Sequence, residues 1–155
     1  MNTQKSSLEF SHFPVMLNEI IKISSATRGG VFIDCTFGGG GYSEELLKYP
    51  KTRVIGLDRD SHIISEARKL EKKFHERFKF YQLKFSQIDK LIKEYVDGII
   101  FDLGLSSIQL NNLKRGFSFK SKEDLDMSMG LTDISAKDTV NNLSEIQLKL
   151  IIKVL

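Results

Sequence analysis

Short apolar runs alternating with amphipathic stretches constrain this chain more than any other feature of its sequence. Val31-Phe32-Ile33 and residues 53–58, 78–83 and 98–102 are brief, rich in β-branched and aromatic side chains, and bounded by glycine or polar turns, so each predicts a strand. Between them apolar residues recur at helical spacing. They run from Val15 to Ile23 behind Pro14, at Leu46-Leu47 after Ser43-Glu44-Glu45, at Ile63, Ile64, Ala67, Leu70 and Phe74, and at Ile88, Leu91, Ile92 and Tyr95. Pro14 suits a first helical turn, and Ser43 and Ser61 read as helix starts. Strand and helix in alternation mean a parallel sheet joined by βαβ crossovers, an α/β fold. From Leu103 to Asp138 no period is visible, and Val140, Leu143, Ile146, Leu148, Ile151 and Ile152 then suggest one closing helix. Four strands are fewer than an open α/β sheet usually has, and the helical pattern runs to the last residues, so the sequence reads as cut short.

The first strand leads into Asp34-x-Thr36-x-Gly38-Gly39-Gly40-Gly41. In an open α/β sheet ligands bind beyond the carboxyl ends of the strands, and glycines there let the backbone approach a ligand that a Cβ would block. The alternative, a plain tight turn, sits poorly with four successive glycines. The dinucleotide fingerprint would require glycine where Ser43 stands, which argues against NAD. An acid just before the glycines, Asp34, suits the cationic amino-acid end of S-adenosylmethionine. Asp58 ends the second strand 20 residues past the loop, where an acid binds ribose hydroxyls; its neighbour Asp60 reads as a helix cap.

A third site, Asp102-Leu103-Gly104-Leu105-Ser106-Ser107-x-Gln109, stands at the tip of the fourth strand. Amino-group methyltransferases hold their substrate amine at such a tip, where an acid or amide orients the NH2 and absorbs charge. In the fourth, Lys114-Arg115-Gly116-Phe117-Ser118-Phe119-Lys120, basic and aromatic residues interleave, as RNA stacking and phosphate contact require. The plainer reading of that stretch is a loop whose phenylalanines enter the core.

With 155 residues, 41% hydrophobic and 28% charged, the chain suits one globular domain, and a net charge of +3 is compatible with nucleic acid without requiring it. Cys35 is the sole cysteine, which excludes an internal disulfide and fits a reducing compartment; beside the glycine loop it reads as inert packing. His12, His62 and His75 are scattered without metal spacing, so no metal is expected. No apolar run approaches the ~20 residues of a membrane helix. Residues 1–10 lack the apolar centre of a signal peptide, and a cytoplasmic protein with no membrane partner is expected.

Taken together these motifs resemble the bacterial 16S ribosomal RNA cytosine-N(4) methyltransferases, the MraW/RsmH family. The likeness runs from His12-Phe13-Pro14-Val15-Met16-Leu17 through Asp34-Cys35-Thr36-Phe37-Gly38-Gly39-Gly40-Gly41, Leu57-Asp58-Arg59-Asp60, residues 102–110, Arg115-Gly116-Phe117-Ser118-Phe119 and Leu125-Asp126-Met127-Ser128-Met129 to Ala136 and Val140-Asn141. The resemblance implies a Rossmann-like class I methyltransferase sheet over residues 1–109 and, over 110–155, the start of an inserted helical substrate-recognition domain. It implies S-adenosyl-L-methionine as cofactor, held by Gly38, Gly40, Gly41, Tyr42, Asp58, Phe85, Asp102 and Gln109, with Phe85 flanking the adenine. It implies Asp102 as the catalytic acid, Arg115, Phe117 and Phe119 against RNA, and 16S rRNA in the small ribosomal subunit as partner. Two positions depart from the family, which has His at Tyr42 and Arg at Ser128; family members also continue well past Leu155. The competing readings are a non-catalytic RNA-binding fragment and an NAD-linked oxidoreductase on the same fold.

Overall fold

The computed structural model describes residues 14–93, 95–131 and 134–154. The expected tail over 1–11 and the His12-Phe13 start of the first motif lie outside these residues. Four strands form one sheet, β1 (Gly30–Asp34), β2 (Thr52–Asp58), β3 (Phe78–Gln82) and β4 (Gly98–Ile100). All pairs are parallel and the order is β3-β2-β1-β4. The chain therefore steps outward from β1 to β3 and then returns to lay β4 on the far side of β1. That reversal places a crevice between the carboxyl ends of β1 and β4.

Strand parity divides the core. Phe32, Val54, Phe78 and Phe80 point to the face covered by α1 (Leu17–Ser24), α2 (Gly41–Leu47) and α3 (Ile64–Phe74). Burying each of the large side chains there stabilises the fold by roughly 1.5–3 kcal/mol. Ile33 and Leu57 point to the other face, where Ile55, Leu83, Ile88, Leu91, Ile92 and Val96 cover them.

Three elements differ from expectation. The segment with Ile88, Leu91 and Ile92 forms two tight helical turns within Phe85–Lys90, separated by a kink at Gln87, with Leu91 and Ile92 just beyond them, not a full amphipathic helix. Its apolar residues still cover the sheet, and Tyr95 is fully exposed. The chain must become extended for β4, where Asp97 locks to Val31 through its own amide (2.8 Å to the Val31 carbonyl) and its carboxylate (2.8 Å from the Val31 amide). The closing helix is two helices, α5 (Ala136–Asn142) and α6 (Glu145–Val154), because Leu143 is extended and Ser144 with Gln147 caps the second. Between β4 and α5, the stretch without visible period holds α4 (Ser107–Asn111), opened by a capping box of Ser106 and Gln109. Among the described residues no helix is long and apolar enough to cross a membrane.

Gly56, mid-strand in β2, admits the rings of Phe37 and Phe78, whose atoms would lie 2.9 and 3.0 Å from an added Cβ. Those rings carry the aromatic core, with Phe37 centred 5.6 Å from Phe78 and 5.3 Å from Phe80. Gly56→Ala is therefore expected to lower unfolding free energy by about 1–3 kcal/mol through overpacking, read from the midpoint of a urea melt at unchanged slope.

Candidate functional site

At the carboxyl ends of β1, β2 and β4 lies a cleft of about 1070 Å³. Of the residues expected to hold a cofactor, Gly38, Gly41, Tyr42, Asp58, Phe85, Asp102 and Gln109 line it, and Gly40 does not. Gly40 sits at φ 80° as the residue before α2, and a Cβ there would lie 2.7 Å from the Phe37 ring. It shapes the loop from beneath, against the Phe37 ring. Gly41 is tight for another reason, since a Cβ would lie 2.3 Å from Pro14 Cγ. The segment Pro14–Val15 thus straps the glycine loop and forms part of the cleft wall, a contribution that nothing in the local sequence announces. Only at Gly39 does the loop meet open space.

Carboxylates at the strand tips organise the rest. Asp58 accepts the Gly38 amide at 2.8 Å and the Asp60 amide at 2.9 Å, so the second strand tip holds the glycine loop in place. Burial, offset by those amides, leaves its carboxyl above the usual range. Asp102 at the end of β4 is tied to β1 by its amide, which donates to Thr36 Oγ1 at 2.8 Å. The Tyr42 hydroxyl meets both the Val15 carbonyl and, at 3.3 Å, Asp102 Oδ2. Burial first and then the Asp102 charge push the Tyr42 phenol up to about 12, so it stays a proton donor at neutral pH. Phe85 stands half exposed at the mouth, edge-on to Phe101 at 5.6 Å.

Asp34 does not face the cleft. Parity places it on the helix side with Phe32, fully buried, where it accepts the Ser43 hydroxyl at 2.7 Å and the Thr36 amide. The expectation that it meets a cationic ligand is therefore corrected. Ser43 likewise anchors α2 to β1 and does not start the helix, which begins at Gly41. Cys35 lies buried at the cleft wall with its thiol pushed up to about 11 by burial, then by the Asp34 charge.

The basic-aromatic stretch divides. Arg115 is buried, not presented to a phosphate: its Nη1 donates to Asp60 Oδ2 at 2.6 Å and its Nη2 to the Ser128 carbonyl at 2.7 Å. Phe117 lies beneath its guanidinium, 5.0 Å away. Phe119 is fully exposed. Gln109 is buried too, with Nε2 on Asp60 Oδ2 at 2.9 Å and Oε1 on the Ser106 amide at 2.9 Å, so both ends of its amide are committed within the wall. Asp60 serves as cap through the His62 amide, as expected, and also gathers Arg115 and Gln109. Burial pushes its carboxyl up, but the bonds from Arg115, the His62 amide and Gln109 outweigh that and hold it below its ordinary range.

Residues 9–155 match the MraW methylase family. The chain belongs to that family. Among curated members, the ribosomal RNA small subunit methyltransferase H of Bartonella tribocorum is 42% identical over 144 residues, covering 93% of this chain and 43% of the relative. That of Carboxydothermus hydrogenoformans is 43% identical over 146 residues, covering 91% and 47%. That of Rickettsia akari is 42% identical over 136 residues, covering 87% and 44%. The chain spans a little under half the length of these MraW-family relatives.

Burial, lessened by the Ser43 hydrogen bond, raises Asp34 from 3.8 to about 6. Between those values the folded chain holds a proton that the unfolded chain has lost, so this group's contribution to stability is present below about pH 4 and declines as pH rises to 6. Compared with Asp34→Asn, the parent is expected to lose about 3 kcal/mol of unfolding free energy across that window. Urea melts at intervals of pH check this, and parallel stability curves for the two proteins would contradict it.

Proposed function

We propose that this chain forms the cofactor-binding part of an S-adenosylmethionine-dependent methyltransferase acting on the exocyclic N(4) amine of a cytidine in 16S rRNA of the small ribosomal subunit. The observation that carries this reading is the meeting of two strand-tip carboxylates, Asp58 and Asp102, with Gly38 and the open backbone of Gly39 in one cleft. The cleft wall has the charge such a cofactor needs: Glu44, Asp58, Glu66 and Asp102 against Arg59 and Lys84. An ammonium and a sulfonium are favoured there, whereas the pyrophosphate of NAD would meet excess negative charge. Family membership and relatives named as rRNA methyltransferases support the same reading. The expected cytoplasmic location is part of the proposal.

Bound in this cleft, S-adenosylmethionine supplies a methyl carbon whose bond to sulfur breaks as the amine nitrogen bonds to it. The chain's residues do the positioning. Each oxygen of Asp58 keeps a lone pair for a ribose hydroxyl, and Phe85 offers its ring to the adenine. Tyr42 meets Oδ2 of Asp102, and Oδ1 accepts the N–H of the cytosine amine and receives its proton as the new bond forms. Residues 110–155 are the beginning of the substrate-recognition insert, in which exposed Phe119, flanked by Lys120, stacks on an RNA base.

Asp58→Ala is expected to weaken S-adenosylmethionine binding by about 1.5–3 kcal/mol for each ribose hydrogen bond lost, measured by titration calorimetry, with NAD giving no heat in parallel. In a chain extended past Leu155 to the length of its relatives, Asp102→Ala should slow methyl transfer to small subunits about 100-fold while changing cofactor affinity far less. Cofactor affinity within twofold of the parent in Asp58→Ala, or near-normal methylation by Asp102→Ala, would sink the assignment. Cofactor binding with no turnover would favour the RNA-binding alternative.

A further inference from the structure

Arg115 is the one cation of its stretch that is withdrawn from solvent, and it ends on the element that carries Asp58. Three facts define its setting. Asp60 Oδ2 is shared by Arg115 Nη1 at 2.6 Å and Gln109 Nε2 at 2.9 Å, so one carboxylate oxygen holds both α4, just past Asp102, and the turn that follows it. Arg115 reaches on to the Ser128 carbonyl, and its own carbonyl accepts the Met127 amide at 2.9 Å, which closes the 115–128 loop on itself. On the other side the Asp60 amide binds Asp58, and Asp58 binds Gly38. An unbroken chain of hydrogen bonds thus runs from the glycine loop through both acids of β2's tip to the loop that carries Phe119.

Such a buried pair is a weak source of net stability, because desolvating two ions offsets much of their attraction. Arg115 Nε has no partner among the described residues, which deepens that penalty. What the pair does supply is fixed geometry, a fork that Lys reproduces only in part.

We infer that Arg115 is a positioning residue, whose ion pair with Asp60 clamps residues 103–131 onto the tip of β2 and so joins the substrate face of the cleft to its ribose acid. The inference rests on the methyl-transfer reading of the cleft. It also reassigns Arg115, since a side chain held this way touches no RNA phosphate.

The test compares the parent chain with Arg115→Met, Arg115→Lys and the double variant Asp60→Asn/Arg115→Met, using S-adenosylmethionine titration and amide hydrogen exchange read by mass spectrometry. Arg115→Met leaves the Asp60 carboxylate buried beside Asp58 without its guanidinium, held only by Gln109 and His62, so cofactor binding is expected to weaken about tenfold. Exchange should accelerate across 103–131 while β1 to β3 stay protected. Arg115→Lys should recover most of the affinity. The double variant should return to within about threefold of the parent, because no buried charge is left unpaired. Unchanged affinity and unchanged exchange in Arg115→Met would overturn the inference. So would a salt dependence of RNA oligonucleotide binding that drops by about one phosphate contact with cofactor affinity intact, which would make Arg115 a phosphate ligand. Should Arg115→Met fail to fold, Arg115→Gln, uncharged but able to hydrogen-bond, takes its place with the same expected and overturning results. A parent chain that binds no S-adenosylmethionine fails the methyl-transfer reading instead, and the exchange comparison still decides the clamp.

Discussion

At the tip of β2 two carboxylates two residues apart face opposite ways, and the cleft depends on both. Asp58 turns toward β1 and takes the Gly38 amide; Asp60 turns toward the loop after β4 and takes Arg115 and Gln109. Between them the Asp60 amide bonds to Asp58, so neither acid can move alone. Like charges this close raise each other's energy, and the structure answers with donors on every side, two amides on Asp58 and a cation with an amide side chain on Asp60. If the donors to Asp60 were absent, the two acids would repel at the wall of the cleft.

A second buried acid performs a quieter task. Asp34 lies under α2 and bonds Ser43 of that helix, which sets how far the glycine loop stands from β1. Its burial leaves it nearly half protonated just below neutral pH, at about 6. Tyr42 connects the Pro14–Val15 strap to Asp102, so hydrogen-bonded acids frame the cleft alongside the Arg115–Asp60 ion pair.

The sheet was legible because each strand is a short apolar run between breaks, and β1, β2 and β3 form within a residue or two of the pattern. Asp58 and Asp102 were legible as cleft residues since the parallel order brings every strand tip to one end, whereas Phe85 entered only through the family resemblance. The orientation of Asp34 was also within reach, since Phe32 belongs in the core and parity puts Asp34 beside it. The helix breaks carried signals that periodicity hides: Ser106-x-x-Gln109, Ser135-x-x-Asp138 and Ser144-x-x-Gln147 each mark a helix start inside stretches read as featureless or continuous. The burial of Arg115 was not legible. Its partner Asp60 lies 55 residues away, and an arginine between Lys114 and Gly116 looks the same whether it meets a phosphate or a carboxylate.

The order β3-β2-β1-β4 has a consequence for how the cleft comes into being. β1 meets β2, and β2 meets β3, across a single helix each, whereas β4 meets β1 across 66 residues of chain, as the Val31–Asp97 and Thr36–Asp102 bonds record. Closing that long loop carries the largest entropic penalty in the sheet, and β4 contributes only three residues of pairing to offset it. The seam that carries Asp102 is therefore the last part of the sheet to gain from folding and the first to let go. A chain with β1, β2 and β3 in register keeps its aromatic core and its glycine loop while lacking Asp102 at the cleft wall, so the cleft is completed on a fold step separate from compactness.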